Sequence, residues 1–328
     1  MFIIDSPSNN AYFNIASEEY LLEKFPEKNL LLLYINAPSI IVGKHQNTLA
    51  EINYEFVNKE GIKVVRRLSG GGTVYHDLNN LNFSFHSPLD KNNFLDFAVF
   101  TKPVVDLLQK MNIPAALKGR NDLEIEGKKF SGNAKLSKNG KMIQHGTILI
   151  DSEIEVLAKA LKTNPLKYAD KATKSIRARV TNLKPYLPKD IDTLKFKELF
   201  IKESLEKNPN AELYCLTEKD VLNIQKLADE KYSTWNWNYG NSPNYNFKNA
   251  IKFPAGFVEL HINVKKGGEI EDLKIYGDFF SEKPLEEFEQ LFKGKQHEIN
   301  TIRKIITSIN LEDYFGKIEV EEFLKLFY

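Results

Sequence analysis

The sequence predicts an α+β chain in two parts: a mixed or antiparallel β-sheet with flanking helices, then a small α+β domain. Three observations predict it. Leu30-Leu31-Leu32-Leu33-Tyr34-Ile35 and Ser39-Ile40-Ile41-Val42-Gly43 are short continuous apolar runs, the pattern of strands buried on both faces. Glu126-Gly127 and Asn139-Gly140 punctuate the stretch from Leu123 to Ile150, and Asn-Gly is the strongest short hairpin signal. Near the end of the chain, Val258, Leu260, Ile262 and Val264 alternate with Glu259, His261 and Asn263, which describes a strand with one wet face.

The elements follow in order. Phe2 to Ile4 is a short apolar strand. Asn9-Asn10 precede a predicted helix from Tyr12 to Lys24, with Phe13, Ala16, Tyr20 and Leu21 on one face and Glu18, Glu19 and Glu23 mostly elsewhere. Pro26 ends it. Lys44-His45-Gln46-Asn47 is a polar loop, and a helix is predicted over Tyr54–Lys59. Phe94 to Met111 has helical spacing, with Pro103 expected to kink or split it. Residues 163–190 scatter Lys167, Lys171, Lys174, Arg177 and Arg179 among prolines. So long a basic loop reads either as a lid or as a solvated surface. Helices are predicted over Phe196–Lys207 and Glu218–Tyr232, and the aromatic, turn-rich Trp235 to Pro243 reads as a junction. Gly267-Gly268 turns the alternating strand into Ile270–Phe279, and helices near Pro284–Lys293 and Glu298–Ile309 follow.

Composition excludes several classes. A chain of 328 residues favours two domains, and 42% hydrophobic residues suffice for real cores. A net charge of +1 gives no general electrostatic case for nucleic acid or membrane. The single Cys215 excludes an internal disulfide or a thiolate metal cluster and suits a reducing compartment. Its apolar neighbours suggest a small buried hydrophobe. Met1-Phe2-Ile3-Ile4-Asp5 lacks the basic start of a signal peptide, and no run of ~18 apolar residues could span a membrane. A cytoplasmic protein is expected.

The stretch that carries chemistry is Arg66-Arg67-Leu68-Ser69-Gly70-Gly71-Gly72-Thr73-Val74-Tyr75-His76-Asp77. The β-branched run before it and the extended segment after it place the glycines between two strands. Three glycines in a row let a ligand approach the main chain and collect its N–H groups. Arg67 adds a planar fork of donors for phosphate or carboxylate oxygens. Further along, Gly119-Arg120-Asn121-Asp122 sets an amide and a carboxylate at the head of a strand. That pair suits Mg²⁺, which takes one or two protein oxygens, or equally an Asx-type turn. Lys128-Lys129 beside Gly127 read as turn solubilisation, and His145 as a satisfied core histidine. No P-loop, dinucleotide fingerprint, G-x-S-x-G or H-E-x-x-H occurs.

Taken together, these segments carry a resemblance. Arg67 to Asp77, Gly119 to Asp122, Lys129-Phe130-Ser131-Gly132-Asn133-Ala134 and His145-Gly146-Thr147 have the order and spacing of a lipoate–protein ligase. Val180-Thr181-Asn182-Leu183 and Trp235-Asn236-Trp237 with Tyr239-Gly240 extend it. The resemblance implies a catalytic domain of the class II synthetase/biotin-ligase type over residues 1–240 and an accessory domain over 248–328. It implies activation of lipoate with ATP and Mg²⁺ to lipoyl-AMP, with octanoate as a second acid. Transfer then goes to one lysine of a lipoyl-carrier domain, on a 2-oxoacid dehydrogenase E2 subunit or the glycine-cleavage H protein. Lys129 would bind the carboxylate and α-phosphate. Arg67 would hold phosphate or acyl-phosphate oxygens, and Gly72, Thr73, Val74 and Tyr75 would line the adenylate. Asn121 and Asp122 would orient phosphates and Mg²⁺. Ser69, Gly70, Gly71, His76, Ser131, His145 and Gly146 complete the implied site. The 163–190 loop would close over the mixed anhydride.

Two other readings use the same residues. A lipoyl or octanoyl transferase on this fold would work without ATP through a thiol in the pocket, and Cys215 is the only thiol. A non-catalytic carrier-binding paralogue would have lost Lys129 or the glycine turn, and both are intact.

Overall fold

The computed structural model describes the chain except for residues 90–95, 120, 162–179, 243, 244, 255, 278–280 and 282. Most of the basic loop, Arg120 and Pro243 therefore lie outside the described residues. The chain divides into two compact units. One comprises Met1–Lys44 with Gly61–Ser233, the other His45–Glu60 with Thr234–Tyr328.

The first unit is built on an eight-stranded mixed sheet. Its strands are β1 (Phe2–Asp5), β2 (Leu30–Ile35), β6 (Asn80–Pro88), β7 (Ala116–Lys118), β8 (Asp122–Ile125), β9 (Lys128–Lys138), β10 (Lys141–Leu149) and β11 (Glu212–Leu213). Their order is β11-β1-β2-β6-β10-β9-β8-β7. β1 pairs parallel with β2 and β11, and the strands from β2 onward pair antiparallel. The two predicted hairpin turns close as expected: Glu126 and Gly127 have φ of 51° and 74°, and Asn139 and Gly140 have 53° and 74°. These left-handed pairs match the strand twist.

Both apolar runs are fully buried, but in different sheets. β2 lies inside the large sheet, whereas β3 (Ser39–Val42) is the middle of a separate three-stranded sheet. There β4 (Lys63–Arg66) pairs parallel and β5 (Val74–His76) antiparallel with β3. Residues 67–73 thus pass the end of β3 rather than form a hairpin. One face of the large sheet is apolar. Leu31, Leu33, Leu81, Phe83 and Ile148 pack there with Val104, Leu108, Phe196 and Phe200, and removing one such ring costs roughly 3–5 kcal/mol. The opposite face carries Tyr34, Asn82, His145 and Thr147, and it faces the site.

Helix α1 (Ala11–Lys24) starts at Asn10, whose side chain accepts from the Tyr12 N–H, and ends at Phe25. The residue before a proline disfavours helical backbone. Glu18 and Glu19, expected off the apolar face, are buried, because each meets donors from other elements. The counterparts are His145 and Tyr34 for Glu18, and Lys138, Lys231 and Tyr232 for Glu19.

The next helices in chain order are α2 (Thr48–Glu51), α3 (Tyr54–Lys59) and α4 (Ala98–Lys110). Pro103 sits inside α4 without splitting it. The carbonyl it leaves unbonded belongs to Val99, an exposed residue that water can reach. α5 (Ile154–Ala160) and α6 (Thr193–Lys207) follow, then α7 (Glu218–Leu227), which opens on a Thr217/Asp220 capping box. The expected helix to Tyr232 changes pitch: Ala228–Tyr232 is a wide π-type turn. Cys215 is exposed, a correction to the buried reading. It follows β11 at the edge of the sheet, where its apolar neighbour Leu213 is exposed as well.

In the second unit, β12 (Tyr245–Phe253), β13 (Gly256–Val264) and β14 (Ile270–Gly277) form an antiparallel sheet. Val258, Leu260, Ile262 and Val264 point into a core shared with Phe288, Phe292, Ile302 and Phe323. Those belong to or adjoin α8 (Leu285–Gln290), α9 (Ile299–Thr307) and α11 (Val320–Leu324), with α10 (Glu312–Phe315) between them. Residues 45–60 join this unit through Thr48, whose hydroxyl donates to the Asn238 carbonyl at 2.6 Å, and Tyr54, whose ring meets Tyr239 and Tyr328. No helix among the described residues is long and apolar enough to cross a membrane.

Candidate active site

A cavity in the first unit opens between the polar face of the large sheet, α1 and the three-stranded sheet. Of the residues predicted from the sequence, Arg67, Gly71, Gly72, Thr73, Val74, His76, Asn121, Lys129, His145 and Gly146 line it. Ile15, Tyr34, Ile41, Asn82, Ala134 and Thr147 supply further walls. Tyr34 on β2, Asn82 on β6 and Thr147 on β10 are direct register partners. Gly132 on β9 extends the row, its N–H donating to the Thr147 hydroxyl at 3.4 Å. Three strand spacings separate Tyr34 from Gly132, so the row is about 14 Å long.

Lys129 marks one end of that row. Its Nζ lies 2.8 Å from Asp122 Oδ1. A Cβ at Gly132 would stand 2.8 Å from the same nitrogen, so the glycine makes room for the ammonium. The Asn121 side chain donates to the Asn133 carbonyl at 2.6 Å, and Asn133 returns a bond to the Asn121 carbonyl at 3.1 Å. The head of β8 is thereby tied to β9. Asp122 borders the cavity rather than lining it. Ser131 is buried and accepts from the Asn133 amide at 3.3 Å.

The glycine turn is organised by Arg67. Its guanidinium donates to Ser69 Oγ, the Ile41 carbonyl, and the carbonyls of Gly70 and Gly72, at 3.0, 3.1, 2.7 and 2.8 Å. The fork that the sequence offers to phosphate oxygens is engaged with the protein's own oxygens. Burial lowers its pKa to about 10, still charged at neutral pH. Gly71 has φ of +94°, and a Cβ there would come 2.9 Å from the guanidinium. Tyr75 is buried on β5 opposite Ile40 and does not line the cavity.

Beneath the turn runs a chain of three side chains. The Ser69 hydroxyl meets His145 Nε2 at 2.6 Å, and His145 Nδ1 donates to Glu18 Oε2 at 2.8 Å. The Tyr34 hydroxyl donates to Glu18 Oε1 at 3.1 Å. Burial pushes the Glu18 carboxyl up, but His145 and the other donors outweigh it and hold it below the usual carboxylate range. The connectivity is that of a hydrolytic triad. The role is not, because Ser69 is only 1% exposed, stands behind the cavity wall, and takes a bond from Arg67. His145 is thus a positioned wall, bonded at both nitrogens. Gly146 fits tightly: a Cβ would collide with Asn133 Oδ1 and the Phe83 ring.

Sequence reasoning did not reach Glu18, Tyr34 or Asn82. For Glu18 a signal existed: it sits three residues after Ile15 and four before Leu22, on a buried stripe of α1. Tyr34 and Asn82 stand inside strands whose alternation is hidden by burial on both faces.

Comparison with known proteins places these features among relatives. Residues 10–204 match the family profile described as the lipoyl protein ligase A/B catalytic domain, and residues 242–327 match the bacterial lipoate protein ligase C-terminus. The chain is 44% identical to lipoate-protein ligase LplJ of Bacillus subtilis over 331 aligned residues, covering 100% of both chains. Among solved structures, it is similar to the bipartite lipoate protein ligase of Thermoplasma acidophilum, studied with its E2 lipoyl domain. That match has a TM-score of 0.64 and 29% identity, and covers 73% of this chain and 96% of that one. It is also similar to a lipoate-protein ligase A bound with ATP, with a TM-score of 0.60, 26% identity, and coverage of 73% of this chain and 98% of that one.

Proposed function

This chain belongs to the lipoate–protein ligase family and is an ATP-dependent ligase acting on lipoate, and we propose that it works by the following assignment of residues. In the first step the lipoate carboxylate attacks the α-phosphorus of ATP. Lipoyl-AMP forms and pyrophosphate leaves. In the second step the ε-amine of a lysine on a lipoyl domain attacks the acyl carbon, an amide forms, and AMP leaves with the bonding pair.

The observation that carries this assignment is the ammonium of Lys129 at one end of a row about 14 Å long, walled elsewhere by Ile15, Ile41 and Val74. An acid with a medium-length apolar tail fits such a slot, with its carboxylate at the cation. Lys129 then stabilises the charge that grows on the α-phosphate oxygens during attack. Gly71, Gly72 and Thr73 lend main-chain surface to the nucleotide. Mg²⁺ fits the residues present: Asp122 offers carboxylate oxygens at the cavity border, and Mg²⁺ needs only one or two from protein beside phosphates and water. When bound it would neutralise phosphate charge, with Asn121 steadying the strand that holds Asp122.

The transferase alternative is disfavoured because Cys215 is exposed at the sheet edge and absent from the cavity wall. Lipoyl domains are the acceptors, and E2 subunits or the H protein are the carriers we propose. Residues 1–240 would serve catalysis and 248–328 an accessory role. We place the protein in the cytoplasm, where an exposed free thiol stays reduced.

ATP–pyrophosphate exchange with purified protein and Mg²⁺ tests the reading. Exchange that depends on lipoate is expected. Absence of exchange, together with acyl transfer from a lipoylated donor protein, would overturn it.

A further inference from the structure

The inner end of the cavity holds a histidine whose proton can be located by following a chain of amides. Asn14 Nδ2 donates to the Ser8 carbonyl at 2.8 Å, and a carbonyl can only accept. That fixes which end of the Asn14 amide is nitrogen, and Asn14 Oδ1 accordingly takes the Ser6 hydroxyl at 2.5 Å. The same Nδ2 donates to Asn36 Oδ1 at 2.8 Å. Asn36 must then turn its own Nδ2 toward His76, where it lies 3.0 Å from Nδ1. His76 Nδ1 is therefore an acceptor. In the neutral ring the proton sits on Nε2.

That Nε2–H has no partner among the described residues, although its atom is fully buried. His76 is 3% exposed and lines the cavity. Burial, with Arg67 and His145 nearby, pushes its pKa down to about 3, so the ring is neutral in ordinary buffers. A buried donor left unbonded is unfavourable; other atoms of the ring line the cavity, so a ligand that shifts the imidazole slightly offers Nε2 the acceptor it lacks.

The position tells which part of the ligand that is. Asn36 directly follows β2, so His76 stands at the Tyr34 end of the row. Lys129 stands at the other end, on β9. An acid with its carboxylate at Lys129 brings its far tip to His76. The tip of octanoate is a methyl group and cannot accept. The tip of lipoate is a dithiolane, whose sulfur is a soft, weak acceptor.

We propose that the Nε2–H of His76, held in that tautomer by Asn14 and Asn36, bonds a ring sulfur of the substrate and makes the enzyme prefer a sulfur-tipped acid over a plain fatty acid of equal length. The inference rests on the acid-activating function above. Asn36 is a positioning residue, acting only through the imidazole. Because sulfur accepts weakly, the expected preference is modest, ~10-fold in kcat/KM.

The test is pyrophosphate exchange on the full chain with lipoate and with octanoate, compared between wild type, His76→Phe and Asn36→Leu. The ratio of kcat/KM for the two acids is expected to favour lipoate ~10-fold in wild type and to fall toward unity in both variants, chiefly through KM. Nitrogen-15 NMR of the wild-type histidines, which needs no variant, is expected to find His76 protonated at Nε2 and bare at Nδ1. A ratio unchanged in His76→Phe, equal rates for both acids in wild type, or a proton on Nδ1 would each overturn the inference while leaving the ligase function intact. A wild-type protein that activates neither acid would overturn both.

Discussion

Lys129 Nζ and Asp122 Oδ1 meet at 2.8 Å across the β8–β9 ladder, directly above the bare α-carbon of Gly132. The pair holds a half-exposed ammonium over the cavity without burying it. Lys129→Ala is expected to lower lipoate-dependent pyrophosphate exchange ~10²–10³-fold, the usual effect of losing a preorganised charge. Its unfolding free energy should stay within ~0.5 kcal/mol of wild type, as read by denaturant titration. Normal pyrophosphate release from this variant would refute the role.

Gly132→Ala places a methyl group where the lysine head now rests. The obstacle is the free end of a flexible side chain, so the fold can yield by moving it. Exchange activity is expected to fall at least ~10-fold, since small misplacement of a reacting group is costly, while the melting temperature changes little. A variant with full activity would show that the ammonium is not needed at this spot.

Gly146→Ala makes the opposite case. Its methyl meets the Asn133 amide and the Phe83 ring, both held in the packed sheet. Overpacking of this kind costs ~1–3 kcal/mol. Calorimetry should find the first unit destabilised by that amount; an unchanged transition would mean that β6 and β10 can separate there.

Acid sensitivity follows from the buried histidines. His76 and His86 titrate at about 3 and His297 at about 4, each pushed down by burial from 6.5. The unfolded chain binds protons that the folded chain refuses, so their stabilising contribution is full above pH 6.5 and is lost progressively as pH falls toward the folded values. At pH 5 each contributes a loss of about 2 kcal/mol. His297→Gln, which can still bond Tyr245 and the Phe327 carbonyl, should lose its share of the acid slope. Denaturant midpoints at pH 7 and pH 5 check this, and a variant as acid-sensitive as wild type would exclude His297 from the effect.

Much of the fold was legible because its signals are local. Asn139-Gly140 and Glu126-Gly127 need left-handed backbone, and the leucines of β2 need burial whatever their neighbours. The alternation of β13 likewise reports one face of one sheet. Less legible were relations set by distant partners. Nothing near Glu18 announces that His145, 127 positions away, will neutralise its burial. The two apolar runs look alike, yet Ile35 ends a strand of the large sheet and Ser39 begins one of the small sheet. β12 alternates as well, with Tyr245, Phe247, Ile251 and Phe253 on one face and Asn246, Lys248 and Lys252 on the other, but Asn249 interrupts its apolar phase and it directly follows the turn-rich junction that drew the reading. The glycine turn, Lys129 and His145 were found as motifs, but their meeting in one cavity depends on the β6–β10–β9 register. His76 was singled out for its place beside the glycines; its partner Asn36 sits in an unremarked turn.

The Arg67 guanidinium has one more effect, of sign rather than strength. It draws the carbonyl oxygens of Gly70 and Gly72 toward itself. In a trans peptide the C=O and N–H point in opposite directions, so the N–H groups of Gly71 and Thr73 turn away from the arginine. Two peptide dipoles thus carry its positive potential outward, where an anion would meet amide hydrogens instead of the cation. Arg67→Lys would keep the charge and lose the fork that aims these dipoles. The turn would then be free to present carbonyl oxygens, and the same loop would repel the phosphates we propose it receives.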